Sequence, residues 1–106
     1  MEMQRSEQSP QLLTLSVLGD MDAMGCKSLQ PQIDKVIFED THKEVEIDLS
    51  QVSFLDSSGV GAIVYLYKRL IEKKRVMRIE NAHGQPLELI TLLRISNAIP
   101  VNNNSH

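Results

Sequence analysis

An aspartate, two serines and two glycines stand together in Asp56-Ser57-Ser58-Gly59-Val60-Gly61, just ahead of a run whose apolar residues recur at helical spacing. The first N–H groups of a helix lack internal partners, and their dipoles favour an anion. An oxygen placed there can cap the helix, and either Asp56 or Ser57 fits that role. The same donors reward a phosphoryl group, so the arrangement also suits reversible phosphorylation, with Ser57 as acceptor and Ser58 as a second hydroxyl. Asp56 is placed to orient the Ser57 hydroxyl and, after modification, to crowd a nearly divalent anion. Gly59 and Gly61 remove side chains around the turn and let a partner or phosphate approach the backbone. They weaken the helix start by about 1 kcal/mol each relative to alanine.

Other chemistries lack their parts. A hydrolase built on Ser57 needs a base, yet the segment is no G-x-S-x-G elbow and no histidine is clearly placed to activate the hydroxyl. There is no G-x-x-x-x-G-K-[ST] loop for nucleotide phosphates. His42 and His83 fall in predicted turns and His106 in the tail, as ordinary surface residues, and no cysteine–histidine cluster offers a metal site or calls for a cofactor. The one cysteine, Cys26, lies near a helix start where a thiol pKa can be lowered, but reads as small apolar filler. Asp20 and Asp22 are near-neighbour acids of the kind common at helix starts rather than a catalytic pair.

The elements that must position Ser57 alternate. Residues 1–10 are polar, end in Pro10, and read as a flexible leader; 102–106 read as a flexible tail, leaving a folded unit over 11–101. Leu12 to Leu18 is a strand with one face fully buried, ended by Gly19-Asp20. Asp22 is a candidate cap for a helix carrying Leu29, Ile33, Val36 and Ile37. Pro31 implies that this helix is kinked or that its regular part begins near Ser28. Val45-Glu46-Ile47-Asp48-Leu49 alternates with period two. The second helix follows Ser57, with Val60, Ile63, Val64, Tyr67, Leu70 and Ile71 on its apolar side and Lys73, Lys74 and Arg75 as a solvated basic end. Val76 to Ile79 reads as a strand, Pro86 as the first residue of a helix through Leu93, and Ala98 to Val101 as a last edge strand. Strands separated by helices imply an α/β fold: a mixed β-sheet with helices packed largely on one face.

With 106 residues the chain holds one domain. Its net charge of −3 gives no general attraction to nucleic acid. Apolar runs fall far short of the roughly 20 residues a membrane span requires, and no signal peptide is recognised, so a cytoplasmic location without direct membrane insertion is expected.

The stretch from about residue 12 to 101 resembles the STAS domain family, the fold of bacterial anti-sigma factor antagonists. The likeness rests on a strand leading to Gly19-Asp20-Met21-Asp22, then Val45-Glu46-Ile47-Asp48-Leu49-Ser50, then Phe54 to Gly61, and last the amphipathic run with Tyr67-Lys68. The resemblance implies a STAS-type sheet and a partner-binding switch. A serine kinase, acting as an anti-sigma-like regulator, would phosphorylate Ser57 and a serine phosphatase would reverse it; the unphosphorylated form would bind a downstream protein. Asp56, Ser58, Gly59 and Gly61 would support the phosphosite, while Asp20, Asp22, Val60, Lys68 and Arg69 would form the partner surface. The sequence is also similar to a single-domain regulator of biofilm formation in Vibrio, which implies a kinase and phosphatase in one polypeptide. Two departures stand out: Pro31 interrupts a helix commonly continuous in the family, and 102–106 stand where the family has a longer final helix. A constitutive STAS accessory subunit of a membrane transporter would use the same loop and helix face.

Overall fold

The computed structural model describes residues 2–102. Four strands form one sheet in the order β1 (Glu2–Ser9), β2 (Leu12–Leu18), β3 (Glu44–Gln51) and β4 (Val76–Glu80). β1 runs antiparallel to β2, and β2, β3 and β4 are mutually parallel. The parallel pairs need crossovers, supplied by helices α1 (Ala23–Phe38) and α2 (Ser57–Glu72). A third helix, α3 (Gly84–Leu92), and a short 3-10 turn (Ile95–Asn97) follow β4.

The period-two pattern of β3 explains why the sheet is one-sided. Val45, Ile47 and Leu49 are buried with Leu13, Leu15 and Val17 of β2 and Met77 and Ile79 of β4, against Leu29, Ile33, Val36 and Ile37 of α1 and Ile63, Leu66 and Leu70 of α2. The alternate residues carry polar groups on the opposite face. There Arg78 bridges Glu44, Glu46 and Glu80 at 2.7–3.2 Å. The fold is thus a mixed α/β sheet with helices on one face, as the alternation predicts.

Several boundaries differ from expectation. Residues 2–9 are no loose leader: they form β1, whose register pairs Met3 with Val17 and Arg5 with Leu15. The segment has one core contact, Met3, and so shows no hydrophobic period. It is held instead by ladder bonds, by a double Arg5–Asp40 contact at 2.8 Å and by Glu7 on His42 at 2.8 Å. His42 is consequently buried rather than on the surface. Pro31 lies inside a helix that runs unbroken from Ala23 to Phe38; Asp22 caps it, and Ser28, far from starting a helix, donates back to the Gly25 carbonyl. Pro31 is exposed, so its missing N–H falls on the solvent side.

The basic run splits. Lys73 and Lys74 are exposed, but Arg75 is buried, donating to the carbonyls of His42 (2.6 Å) and Val36 (2.8 Å). Ile71, expected inward, is exposed, and Leu66 takes the core position. The expected edge strand near the end contracts to one bridge, Val101 beside Ile79. The tail expected at 102–106 is tied down at Asn102, which bonds Ala82, whereas residues 103–106 lie outside the described residues.

Candidate functional site

Backbone bonds build the site before any side chain enters. Met21 donates to the Phe54 carbonyl at 2.9 Å and accepts from the Asp56 N–H at 3.2 Å, a one-residue parallel bridge between Met21 and Leu55. Asp22 and Asp56 come directly after these two residues, so the bridge sets the starts of α1 and α2 side by side. Each aspartate caps its own helix. Asp22 Oδ1 accepts from the Gly25 N–H at 2.8 Å; Asp56 Oδ1 accepts from Ser58 at 2.8 Å and Gly59 at 3.0 Å. The choice between Asp56 and Ser57 as cap is thereby decided for Asp56.

Ser57 becomes the first residue of α2, exposed, with no hydrogen-bond partner for its hydroxyl among the described residues. Ser58 is exposed beside it. The two glycines divide. A β-carbon on Gly59 would lie 2.5 Å from the Met21 carbonyl oxygen and 2.8 Å from Met21 Cβ, and closer still to Leu55 Cδ1; one on Gly61 would meet nothing within 4 Å. Gly59 serves the close approach of α2 to the Met21 bridge, and Gly61 is an open notch on the outer surface of α2.

Burial pushes the Cys26 thiol above its ordinary value, and the carboxylates of Asp56 and Asp22 push it further. A protonated, buried thiol is a packing group, not a nucleophile. Neither described histidine serves Ser57 as a base: His42 is buried on Glu7, and His83 Nε2 lies 3.0 Å from the Ser50 carbonyl. Among the described residues no group of three or more histidine, cysteine or acidic side chains is gathered to hold a metal ion.

The structure collects Asp20, Asp22, Asp56, Ser57 and Ser58 around the two helix starts. Asp20 is exposed and, with Asp22, Met24, Gly25 and Ser28, lines an open cavity of about 390 Å³. Val60 is half-buried and packs against the core. Lys68 is exposed about three turns along α2. Arg69 is half-buried, with its guanidinium 5.7 Å above the Tyr65 ring and 3.2 Å from Glu72.

Two features, Met24 and Gln85, went unread in the sequence, and a third differs from expectation: Phe54, available with Val52 and Leu55 to anchor the loop on the core, is 42% exposed while those two are buried. Met24, in the first turn of α1, is 84% exposed, so both present apolar surface. Met24 was legible, since it falls off the Leu29–Ile33–Val36 stripe; Phe54 sits in a loop without a period. Gln85 reaches the Leu55 turn from α3, and a polar residue in a first helical turn carries no mark distinguishing such a contact from solvation.

Comparison with known proteins agrees with this architecture. The sequence pattern of the STAS domain matches residues 4–106. An anti-sigma factor antagonist from Mycobacterium paratuberculosis superposes with a TM-score of 0.86 at 22% identity, over 98% of this chain and 86% of that one. The Bacillus cell fate determinant SpoIIAA in its phosphorylated form gives 0.74 at 16% identity, over 97% and 93%. The anti-sigma factor antagonist SpoIIAA in its unphosphorylated form gives 0.71 at 18%, over 94% and 86%. A sulfate transporter family protein from Wolinella succinogenes gives 0.72 at 11%, over 88% and 78%. At these identities the structural likeness concerns the fold. No helix among the described residues is long and apolar enough to cross a membrane.

Proposed function

The chain belongs to the STAS domain family, matched over residues 4–106, and from that premise we propose that it is a partner-binding switch of the anti-sigma factor antagonist type, controlled by phosphorylation of Ser57. One observation carries the reading: Asp56 does the capping, which leaves the exposed Ser57 hydroxyl without a structural duty at the mouth of α2. Support also comes from the fold shared with SpoIIAA, a protein solved in phosphorylated and unphosphorylated forms.

A serine kinase transfers the terminal phosphoryl group of a nucleoside triphosphate to Ser57 Oγ; the hydroxyl proton leaves to the kinase's base and the diphosphate departs. A serine phosphatase, in the same polypeptide as the kinase in the biofilm-regulator reading, returns the phosphate to water. The modification adds a charge of about −1.5 to −2 beside Asp56. A hydrated dianion there must be stripped of water before a partner can close over Met24, Phe54 and Gly61, so the unphosphorylated form binds its downstream protein and the phosphorylated form does not. Asp20, Asp22, Lys68 and Arg69 frame that contact. The protein acts in the cytoplasm, performs no catalysis itself, and controls a bacterial response such as biofilm formation.

The test is intact-mass and fragment analysis of full-length protein from its own cells, with the pathway on and off. One phosphate on Ser57, missing from Ser57→Ala, is the expected result. Absence of phosphate in both states, or phosphate on Ser58 alone, refutes the assignment. Recovery chiefly with an ATPase and a permease supports the transporter subunit instead.

A further inference from the structure

Leu55 uses its neighbours' backbone to reach Met21, because the Phe54 carbonyl and the Asp56 N–H point that way. Its own N–H and C=O therefore point to the other side, where no strand runs among the described residues. Leu55 is fully buried, so both groups need partners. Gln85 supplies them: its Oε1 accepts from the Leu55 N–H at 2.8 Å and its Nε2 donates to the Leu55 carbonyl at 2.8 Å. A carboxamide carries the same donor and acceptor as a peptide unit and stands here for the missing strand. The result is a three-rung ladder, Met21–Leu55–Gln85, across the starts of α1, α2 and α3.

The α3 start is itself anchored. Just before it, His83 Nε2 meets the Ser50 carbonyl at 3.0 Å, and Asn102 clamps both backbone groups of Ala82 at 3.0 Å. Ser57 lies two residues beyond the clamped Leu55, in a segment that no other hydrogen bond reaches from α3 among the described residues. We infer that Gln85 is the positioning residue of the phosphoacceptor turn, holding Ser57 in the place where kinase and partner meet it. The inference rests on the Ser57 reading above and adds a residue from a different helix to that site.

The test compares full-length wild type, Gln85→Met, Gln85→Glu and a core control, Ile33→Val on α1, the last used to gauge a plain stability loss. Methionine keeps the volume and loses both bonds. Amide exchange at Leu55 and at Asp56, whose N–H bonds the Met21 carbonyl, is expected to rise about tenfold in Gln85→Met relative to the exchange of Ile63 and Leu66, and the phosphorylated fraction of Ser57 in cells to fall severalfold. Ile33→Val should move neither ratio. A glutamate at this position accepts from Leu55 when ionised but sets an anionic oxygen against the Leu55 carbonyl, and it regains the donor when protonated. With Asp22 and Asp56 beside the same turn in all three proteins, the Leu55 amide resonance of Gln85→Glu should therefore show an acid-range step beyond any that wild type and Gln85→Met share, a signature a merely structural role would not give. Unchanged exchange at Leu55, or wild-type phosphate occupancy in Gln85→Met, overturns the inference. If the wild type carries no phosphate, the Ser57 switch falls instead, and the exchange and titration still decide whether Gln85 holds the turn.

Discussion

Two glycines two residues apart in α2 should respond to alanine with opposite signs. Alanine in place of a helical glycine gains about 0.5–1 kcal/mol where nothing obstructs it. At Gly61 a β-carbon has no neighbour within 4 Å, so the full gain is expected, a rise in melting temperature of roughly 2–8 °C for a domain of this size. At Gly59 the same carbon meets Met21 O at 2.5 Å and Met21 Cβ at 2.8 Å, as well as Leu55 Cδ1. Leu55 Cδ1 can swing aside, but Met21 O is backbone and accepts the Asp56 N–H at 3.2 Å. Overpacking costs about 1–3 kcal/mol, and loss of that hydrogen bond about 1 kcal/mol more. The propensity gain offsets roughly one of these, leaving Gly59→Ala destabilised by about 1–3 kcal/mol. Urea and thermal unfolding followed by circular dichroism measure both variants. A Gly59→Ala protein as stable as wild type, or a Gly61→Ala protein less stable, refutes the packing argument. The bulkier Gly61→Leu should likewise stay folded while losing affinity in calorimetry for the downstream protein, once that is isolated by affinity capture, because it fills the open notch beside Ser57.

The cap assignment predicts that Asp56→Ala costs about 0.5–2 kcal/mol in the same unfolding assay, whereas Ser57→Ala stays within about 0.5 kcal/mol of wild type; equal losses would return the cap to Ser57. A pH prediction concerns Asp48 on the open face of the sheet. Burial alone would raise its pKa, but hydrogen bonds from the Ser50 N–H and hydroxyl, Asn81 and Ser16 outweigh that and hold it below the ordinary aspartate value. A lowered folded-state pKa contributes stability that is present above the unfolded value of about 3.9 and is lost as pH falls through the folded one. Urea midpoints of Asp48→Asn should accordingly depend less steeply on pH below about 4 than those of wild type, and identical slopes would exclude the mechanism.

Much of the fold was legible because its signals are local. The alternation of β3 and the spacing of Ile63 and Leu70 on α2 arise wherever one face of an element is buried and the other is not. What escaped has the opposite character. β1 carries one buried side chain in eight residues, and its stability comes from pairing with β2 and from Asp40 and His42, each 35 residues away along the chain. Arg75 looked solvated because it follows two exposed lysines; its partners, the carbonyls of Val36 and His42, lie 39 and 33 residues away.

The same division runs through the site. By itself the order of residues determined that an aspartate, two serines and two glycines would meet the start of an amphipathic helix, because capping and helical periodicity depend on neighbours within one or two turns. Only the tertiary structure set Asp56 just outside α2, where the Met21–Leu55 bridge holds it as the cap, let Gly59 admit the Met21 carbonyl while Gly61 faces open space, and brought Gln85 to close the turn from another helix. These outcomes depend on which backbone groups the crossover of α1 and α2 leaves unpaired beside Leu55, and a buried peptide group without a partner is costly enough to select the arrangement that satisfies it.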